Sequence, residues 1–393
     1  MTGPPGSGKS WLIKKLQELL TANGEKHFTC AYTHAAARLV GGNTVAYLLH
    51  LLKSLNDAWI ILDEVSLLPI DTLGQIARLK MVGAKIVMFG DYEGQFEAFK
   101  DRWSEVSYAS VQHSDLLKEM CCGMHFHMEV YRRGDDQELF DRFVAMYKVS
   151  DEELPRLVQE SRQRYPVRVG LLQMHTVLCV SHANRMIINA RQNSVLAAAE
   201  EARGARTFHL EWEGDDLKGC TCQPQSLTIW EGIELIGCTR GSGKTSLGVV
   251  QGVVYSVLQI TDTSVVLKML KDYCQDPTET PLLTEPEGEE ADVEETSTKK
   301  SQVTLLLEDV PAVMRLTHAM CYYTVQGRTL RDHTLLIDTN HPKFSRRALI
   351  VGLSRATHGD YVHIASAEDQ EIFLGKRRRV VRVKRAAERA IET

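Results

Sequence analysis

The chain has 393 residues, of which 44% are apolar and 25% charged, with 46 lysines and arginines against 51 aspartates and glutamates. At about 100–200 residues per domain it has room for more than one core, and its balance is that of a globular chain rather than a fibrous or disordered one. No apolar run is long enough to span a membrane, and 9 cysteines without a secretory signal point to a reducing, intracellular setting (nucleus or cytoplasm) instead of a disulfide scaffold.

In chain order, residues 28–32, 58–62 and 85–89 read as strands, and 11–20, 35–40 and 70–80 as helices. That alternation predicts a parallel sheet with crossover helices over residues 1–130. Residues 131–165 read as a charged helical connection, and a second α/β unit starts at 176–180 with a helix from about Asn184. From about Arg206 the pattern turns β-rich at 226–238, 248–260 and 264–269, with Thr261-Asp262-Thr263 closing a hairpin. The α/β pattern resumes at Val313, with strands at 334–337 and 361–365. The domains are therefore drawn at 1–130, at 166–205 with 312–375, and at 206–311 for a β-rich insert that carries an acidic loop, 272–300. Within that loop, 276–295 holds acids and no base, so the rest of the chain is net positive and nucleic-acid binding is not excluded. A basic tail, 376–393, ends the chain.

Gly3-Pro4-Pro5-Gly6-Ser7-Gly8-Lys9-Ser10 has the spacing of a phosphate loop. Its glycines let backbone N–H groups close around phosphates, Lys9 reaches the β- and γ-phosphates, Ser10 ligates Mg²⁺, and the helix that follows offers its positive end. The motif should follow a strand; only Met1 and Thr2 precede it, so the first strand is expected to be missing. Arg240-Gly-Ser-Gly-Lys-Thr245 imitates the motif but has Cys238 at the first glycine position and no helix after it, so it reads as a loop of the insert. The apolar run Trp59–Leu62 ends in Asp63-Glu64, where Asp63 suits a magnesium ligand and Glu64 a residue that polarises water. A third strand ends in Gly90-Asp91-Tyr92-Glu93-Gly94-Gln95, with Gln95 placed to sense a γ-phosphate. Cys121, Cys122, His125 and His127 lack the second pair that a zinc finger needs.

With these strand ends in this order the chain resembles a superfamily 1 helicase, nearest the RecD and Pif-type branch that moves 5′ to 3′ on single-stranded DNA. Further matches run along most of the sequence. Thr33-His34-Ala-Ala-Ala37 with Gly42-Asn43-Thr44 is similar to the family's T-G-x-A-A…G-x-T element on the DNA backbone. Tyr131-Arg132-Arg133 is similar to its F/Y-R element, which implies a γ-phosphate contact for Arg132. Gln326-Gly327-Arg328-Thr329-Leu330 resembles S-Q-G-x-T-L, placing Gln326 and Gly327 at the nucleotide, and Val351-Gly-Leu-Ser-Arg355-Ala resembles V-A-L-S-R-A, with Arg355 as arginine finger. The resemblance implies two RecA-like domains closing on ATP and Mg²⁺, an SH3-like module at the β-rich insert, and monomeric action. Glu64, Gln95, Arg132 and Arg355 become the catalytic set.

For single-stranded DNA, cations along a groove and faces for stacking are needed. Thr33, His34, Arg38, Thr44, Tyr322, Tyr323, Thr324 and Arg328 supply them in motif contexts. Four departures stand out, one being that Asp91 and Gln95 lie one residue further apart than is usual. Tyr323-Thr324-Val325 replaces His-Lys-Ser, Cys30-Ala-Tyr32 replaces a common proline, and little chain separates Thr44 from Trp59 for a strand-separating hairpin. A viral-type superfamily 1 RNA helicase and an inactive scaffold related to these enzymes are the competing readings.

Overall fold

The computed structural model describes residues 1–50, 56–98, 111–128, 136–214, 223–239, 247–270 and 301–376. The element at Arg132, the imitation loop at 240–245, the acidic loop and the basic tail beyond 376 lie outside these residues.

The first sheet is parallel, in the order β2-β1-β3-β4, from β1 (His27–Ala31), β2 (Asn43–Thr44), β3 (Trp59–Asp63) and β4 (Lys85–Met88). Helices α1 (Lys9–Ala22), α2 (His34–Leu39), α3 (Val45–His50) and α4 (Ile70–Ala77) make the crossovers. Apolar residues of β3 such as Ile60 and Leu62 have no exposed area and pack with Leu73 and Ile76 of α4, as a strand covered on both faces requires. The strand expected to be missing before the phosphate loop is present as a stub. Gly90 N–H donates to Met1 O (3.2 Å) and Gly3 N–H to Gly90 O (3.3 Å) on one side; on the other, Thr2 N–H donates to Phe126 O (2.9 Å) and Met128 N–H to Thr2 O (2.8 Å). Residues 1–3 thus lie in parallel between the end of β4 and residues 126–128, filling the place the sequence left vacant.

A second parallel sheet has the order β13-β5-β14-β15, from β5 (Thr176–Cys179), β13 (Ala319–Cys321), β14 (Thr334–Leu336) and β15 (Val362–Ile364). One face packs on the helices Gln137–Ala145 and Arg346–Arg355 through Leu178, Met320, Leu336, Phe140, Phe143 and Leu349. The other face holds the long helix His182–Ala202, whose N-cap Ser181 accepts from Asn184 N–H.

Between β5 and β13 in sequence lies a five-stranded antiparallel sheet, β11-β10-β9-β8-β12, from β8 (Glu234–Gly237), β9 (Val254–Ile260), β10 (Ser264–Met269), β11 (Gln302–Leu306) and β12 (Met314–Leu316). A two-stranded ribbon, β6 (Phe208–Leu210) with β7 (Leu227–Ile229), precedes it. The expected hairpin joins β9 to β10, with Thr261 N–H on Ser264 O at 2.8 Å. Residues just after Val313 do not rejoin the parallel sheet as the apolar pattern suggests. Met314–Leu316 pairs with β8, and the parallel sheet resumes only at Ala319. A three-residue apolar run carries no mark of which sheet it joins; that is decided by pairing across the chain.

Ala35 and Leu39 of α2 pack against the core of the antiparallel sheet, so this insert touches the first half of the molecule as well as the second.

Candidate nucleotide site

The phosphate loop turns from the strand stub into α1. Gly8 caps the helix at φ 90°, a left-handed conformation open to glycine at little cost. The Lys9 side chain is buried and its ammonium donates to the carbonyls of Gly3 (2.6 Å) and Pro4 (2.9 Å). Burial pushes its pKa down, opposed by the charges of Asp91, Glu64 and Asp63, while Arg355 adds to the lowering. Ser10 sits exposed on the first turn of α1.

Asp63 and Glu64 end β3, both less than a tenth exposed. Asp63 accepts only its neighbour's N–H, Glu64 N at 2.9 Å, among the described residues. Burial and then the Glu64 charge push its carboxyl up to about 7, against the pull of that N–H and of Lys9. Glu64 holds a left-handed backbone (φ 53°), and its buried Oε2 has no hydrogen-bond partner among the described residues. Gln95 is 2% exposed and accepts from Ser66 Oγ at 2.9 Å.

The second half of the molecule reaches the same place. Gln326 Oε1 accepts Phe96 N–H at 2.7 Å, its buried Nε2 has no partner among the described residues, and a Cβ on Gly327 would lie 3.6 Å from Glu64 Oε1. Arg355 closes the helix Arg346–Arg355, 4% exposed. Its guanidinium donates to Ser354 Oγ (3.3 and 3.0 Å) and to Arg328 O (3.4 Å), in the field of Glu64, Tyr147 and Asp91. Lys9, Asp63, Glu64, Gln95, Gln326 and Arg355 therefore come together at one seam between the layers of the two parallel sheets.

Of the residues expected on nucleic acid, Thr33, His34, Tyr323 and Thr324 are exposed. Thr33 and Thr44 also cap helices, accepting Ala36 N–H (3.1 Å) and Tyr47 N–H (3.3 Å). Arg38 is half-buried and, after burial itself, lowers the pKa of His34. Arg328 is a correction: it is 7% exposed, and its guanidinium donates to Thr324 O (3.0 Å) and to Gly252 O of the insert, so it braces the insert rather than facing a phosphate. Tyr322 is likewise a core residue, with its hydroxyl on Ile337 O at 2.9 Å.

Two residues escaped the sequence reading. Asp338, at φ 61°, follows an apolar strand just as Asp63 does, a signal that was available. It accepts Val180 N–H (2.9 Å), Ser181 N–H (2.8 Å), Asn184 Nδ2 (2.7 Å) and Gln370 Nε2 (3.0 Å), and so fixes the start of the long helix. Tyr147 donates to Asp91 Oδ2 at 2.6 Å, a contact that no motif announces.

Among the described residues, no group of three or more His, Cys, Asp or Glu could hold a metal ion alone, and no helix is long and apolar enough to cross a membrane.

Comparison with known proteins agrees with this architecture. Residues 1–101 match the model of an AAA domain, and 249–363 that of the viral superfamily 1 RNA helicase core domain. No curated protein matches the chain. Among solved structures, one of two coordinating Pif1 helicases on forked double-stranded DNA is 18% identical with TM-score 0.58, covering 93% of this chain and 87% of that one. The Pif1 helicase from Candida albicans is 16% identical with TM-score 0.55, over 96% and 95%. Pif1 from Bacteroides with ADP-AlF3 and single-stranded DNA is 17% identical with TM-score 0.54, over 93% and 87%. The chain thus has the two-sheet α/β fold of these superfamily 1 helicases along nearly its whole length.

Proposed function

We propose, with that Pif1-like superfamily 1 architecture as the premise, that this chain is an ATP-driven motor that moves 5′ to 3′ on single-stranded DNA. The observation that carries the reading is Arg355. It comes from the second sheet's layer yet lies buried in the field of Glu64 and Asp91, and it acts on Lys9. A triphosphate at this seam would take N–H groups of residues 3–10, the positive end of α1, and the Lys9 ammonium in exchange for the Gly3 and Pro4 carbonyls. Glu64, with its unpartnered Oε2, would orient the attacking water, and Gln95 and Arg132 would meet the γ-phosphate. Arg355 would stabilise the charge that develops on the transferred phosphoryl group.

The donor set fits a magnesium ion: two buried carboxylates, one with an oxygen that has no hydrogen-bond partner among the described residues, and an exposed serine hydroxyl on the loop. Ser10 and Asp63 would hold it, and it would neutralise phosphate charge. Opening and closing of the seam would shift the halves and move the strand. Thr33, His34, Arg38 and Thr44 would grip it from one side and Tyr323 and Thr324 from the other. The domain limits given above, an SH3-like character for the insert and monomeric action belong to the same proposal.

ATP turnover measured with and without poly-dT tests it. Single-stranded DNA should stimulate turnover, and Lys9→Ala or Arg355→Ala should each lower kcat by about 10³-fold or more while the melting temperature holds. Turnover indifferent to DNA would sink the motor. The match of 249–363 to a viral RNA helicase core favours a second reading, on RNA, and poly-U outperforming poly-dT would select it.

A further inference from the structure

Next to these residues, three elements that are distant in sequence meet at one turn of chain. Tyr147 lies in the 3-10 turn Met146–Lys148 that ends the helix Gln137–Ala145. Its hydroxyl donates to Asp91 Oδ2 at 2.6 Å, and burial with the Asp91 charge holds that hydroxyl firmly protonated. Asp91 is 3% exposed, and its other oxygen accepts Glu93 N–H (3.1 Å) and Gly94 N–H (2.9 Å). The hydroxyl comes so close that a Cβ on Gly94 would lie 1.8 Å from it, which makes glycine at 94 a condition of the contact. The loop held in this way carries Gln95.

The main chain of the same turn holds the helix that bears Arg355. Arg346 opens that helix and donates to Met146 O (2.9 Å) and Tyr147 O (3.2 Å), with its Nε on Asp151 at 2.8 Å. Arg347 reaches the loop from the other side, to Glu97 Oε1 at 2.8 Å. One turn of chain thus clamps the Asp91–Gln95 loop with its side chain and the Arg355 helix with its carbonyls.

We propose that Tyr147 is a positioning residue for nucleotide hydrolysis: through its bond to Asp91 it keeps the Gln95 loop in register with the helix that delivers Arg355. This inference rests on the ATPase reading above. Tyr147 touches no substrate, so its loss should misalign the groups needed in the transition state and leave ground-state binding nearly intact.

The test is Tyr147→Phe, which removes the hydroxyl and keeps the ring that packs in the core. The full chain is assayed for poly-dT-stimulated ATP turnover, for binding of a fluorescent ADP analogue and for thermal stability. Expected is a fall in kcat of about tenfold, as for one hydrogen bond to a charged group, with KM for ATP and ADP affinity changed less than about twofold. Asp91→Asn should cost turnover too, and the double variant should lose no more than the worse single one, because both changes break the same bond. An active wild-type chain whose Tyr147→Phe variant keeps its kcat overturns the inference alone, as do fully additive losses or a variant that loses KM and melting temperature with kcat intact. A wild-type chain that binds the ADP analogue and never turns ATP over overturns the ATPase reading, and this inference with it.

Discussion

Two apolar strands of this molecule run into an aspartate, Asp63 in the first parallel sheet and Asp338 in the second, and the surroundings of the two acids are opposite. Asp338 is ringed by four donors and anchors the long helix. Asp63 has its neighbour's N–H, a second carboxylate beside it, and burial that pushes its carboxyl up to about 7. A buried acid whose hydrogen bonds are complete is a structural joint; one with a single donor among the described residues, beside a second carboxylate and a lysine, has the surroundings of a candidate functional group. The sequence motif, an apolar run ending in Asp, is the same in both cases.

The sharpest way to break this contrast is to alter each sheet's acid in turn. Asp63→Asn should reduce ATP turnover by about 10²-fold or more and leave stability almost unchanged. Asp338→Ala should instead destabilise the fold by about 3 kcal/mol in urea titrations, since it strands several buried donors, with the kcat of the folded fraction retained. Swapped outcomes would show that the donor count does not separate the two roles.

A smaller effect is expected at the opposite end of the second sheet. His318 is 8% exposed, its Nε2 has no partner among the described residues, and burial pushes its pKa down to about 4, with His175 adding to the shift. The folded chain keeps it neutral where the unfolded chain would take up a proton. Its contribution is therefore complete above about pH 6.5 and is lost as the pH falls from there toward 4, about 2 kcal/mol of it by pH 5. Urea titrations at a series of pH values should show this slope, and His318→Gln should flatten it. A slope that survives the substitution assigns the acid sensitivity elsewhere.

The smallest effects separate two adjacent tyrosines. Tyr322→Phe should cost about 1 kcal/mol of stability through its bond to Ile337 O and leave affinity for oligo-dT unchanged. Tyr323→Ala, at a side chain 37% exposed, should weaken oligo-dT binding by about 1 kcal/mol or more with stability unchanged.

Much of the frame was legible because it is local. Apolar runs ending in polar clusters gave β1, β3, β4 and β5, and the spacing of Gly3 to Ser10 gave the phosphate loop and α1. What stayed hidden depends on contacts between distant residues. The stub at Thr2 exists only because it pairs with Gly90 and His127, and Met314–Leu316 joins the insert only because β8 lies beside it. Arg328 read as a free cation because nothing nearby in sequence reveals the Gly252 carbonyl it meets. Tyr147 is an unremarkable aromatic in a charged helix until the fold brings it to Asp91.

One backbone angle ties these threads together. Glu64 sits at φ 53°, a region where a side chain of its size costs about 1 kcal/mol or more and where glycine or asparagine would rest more easily. The tension falls at the very peptide that links the two buried acids, so some of the molecule's backbone strain sits where its proposed chemistry takes place. Backbone preference alone would choose another residue there, and the role proposed for its carboxylate supplies a reason for glutamate at that bend.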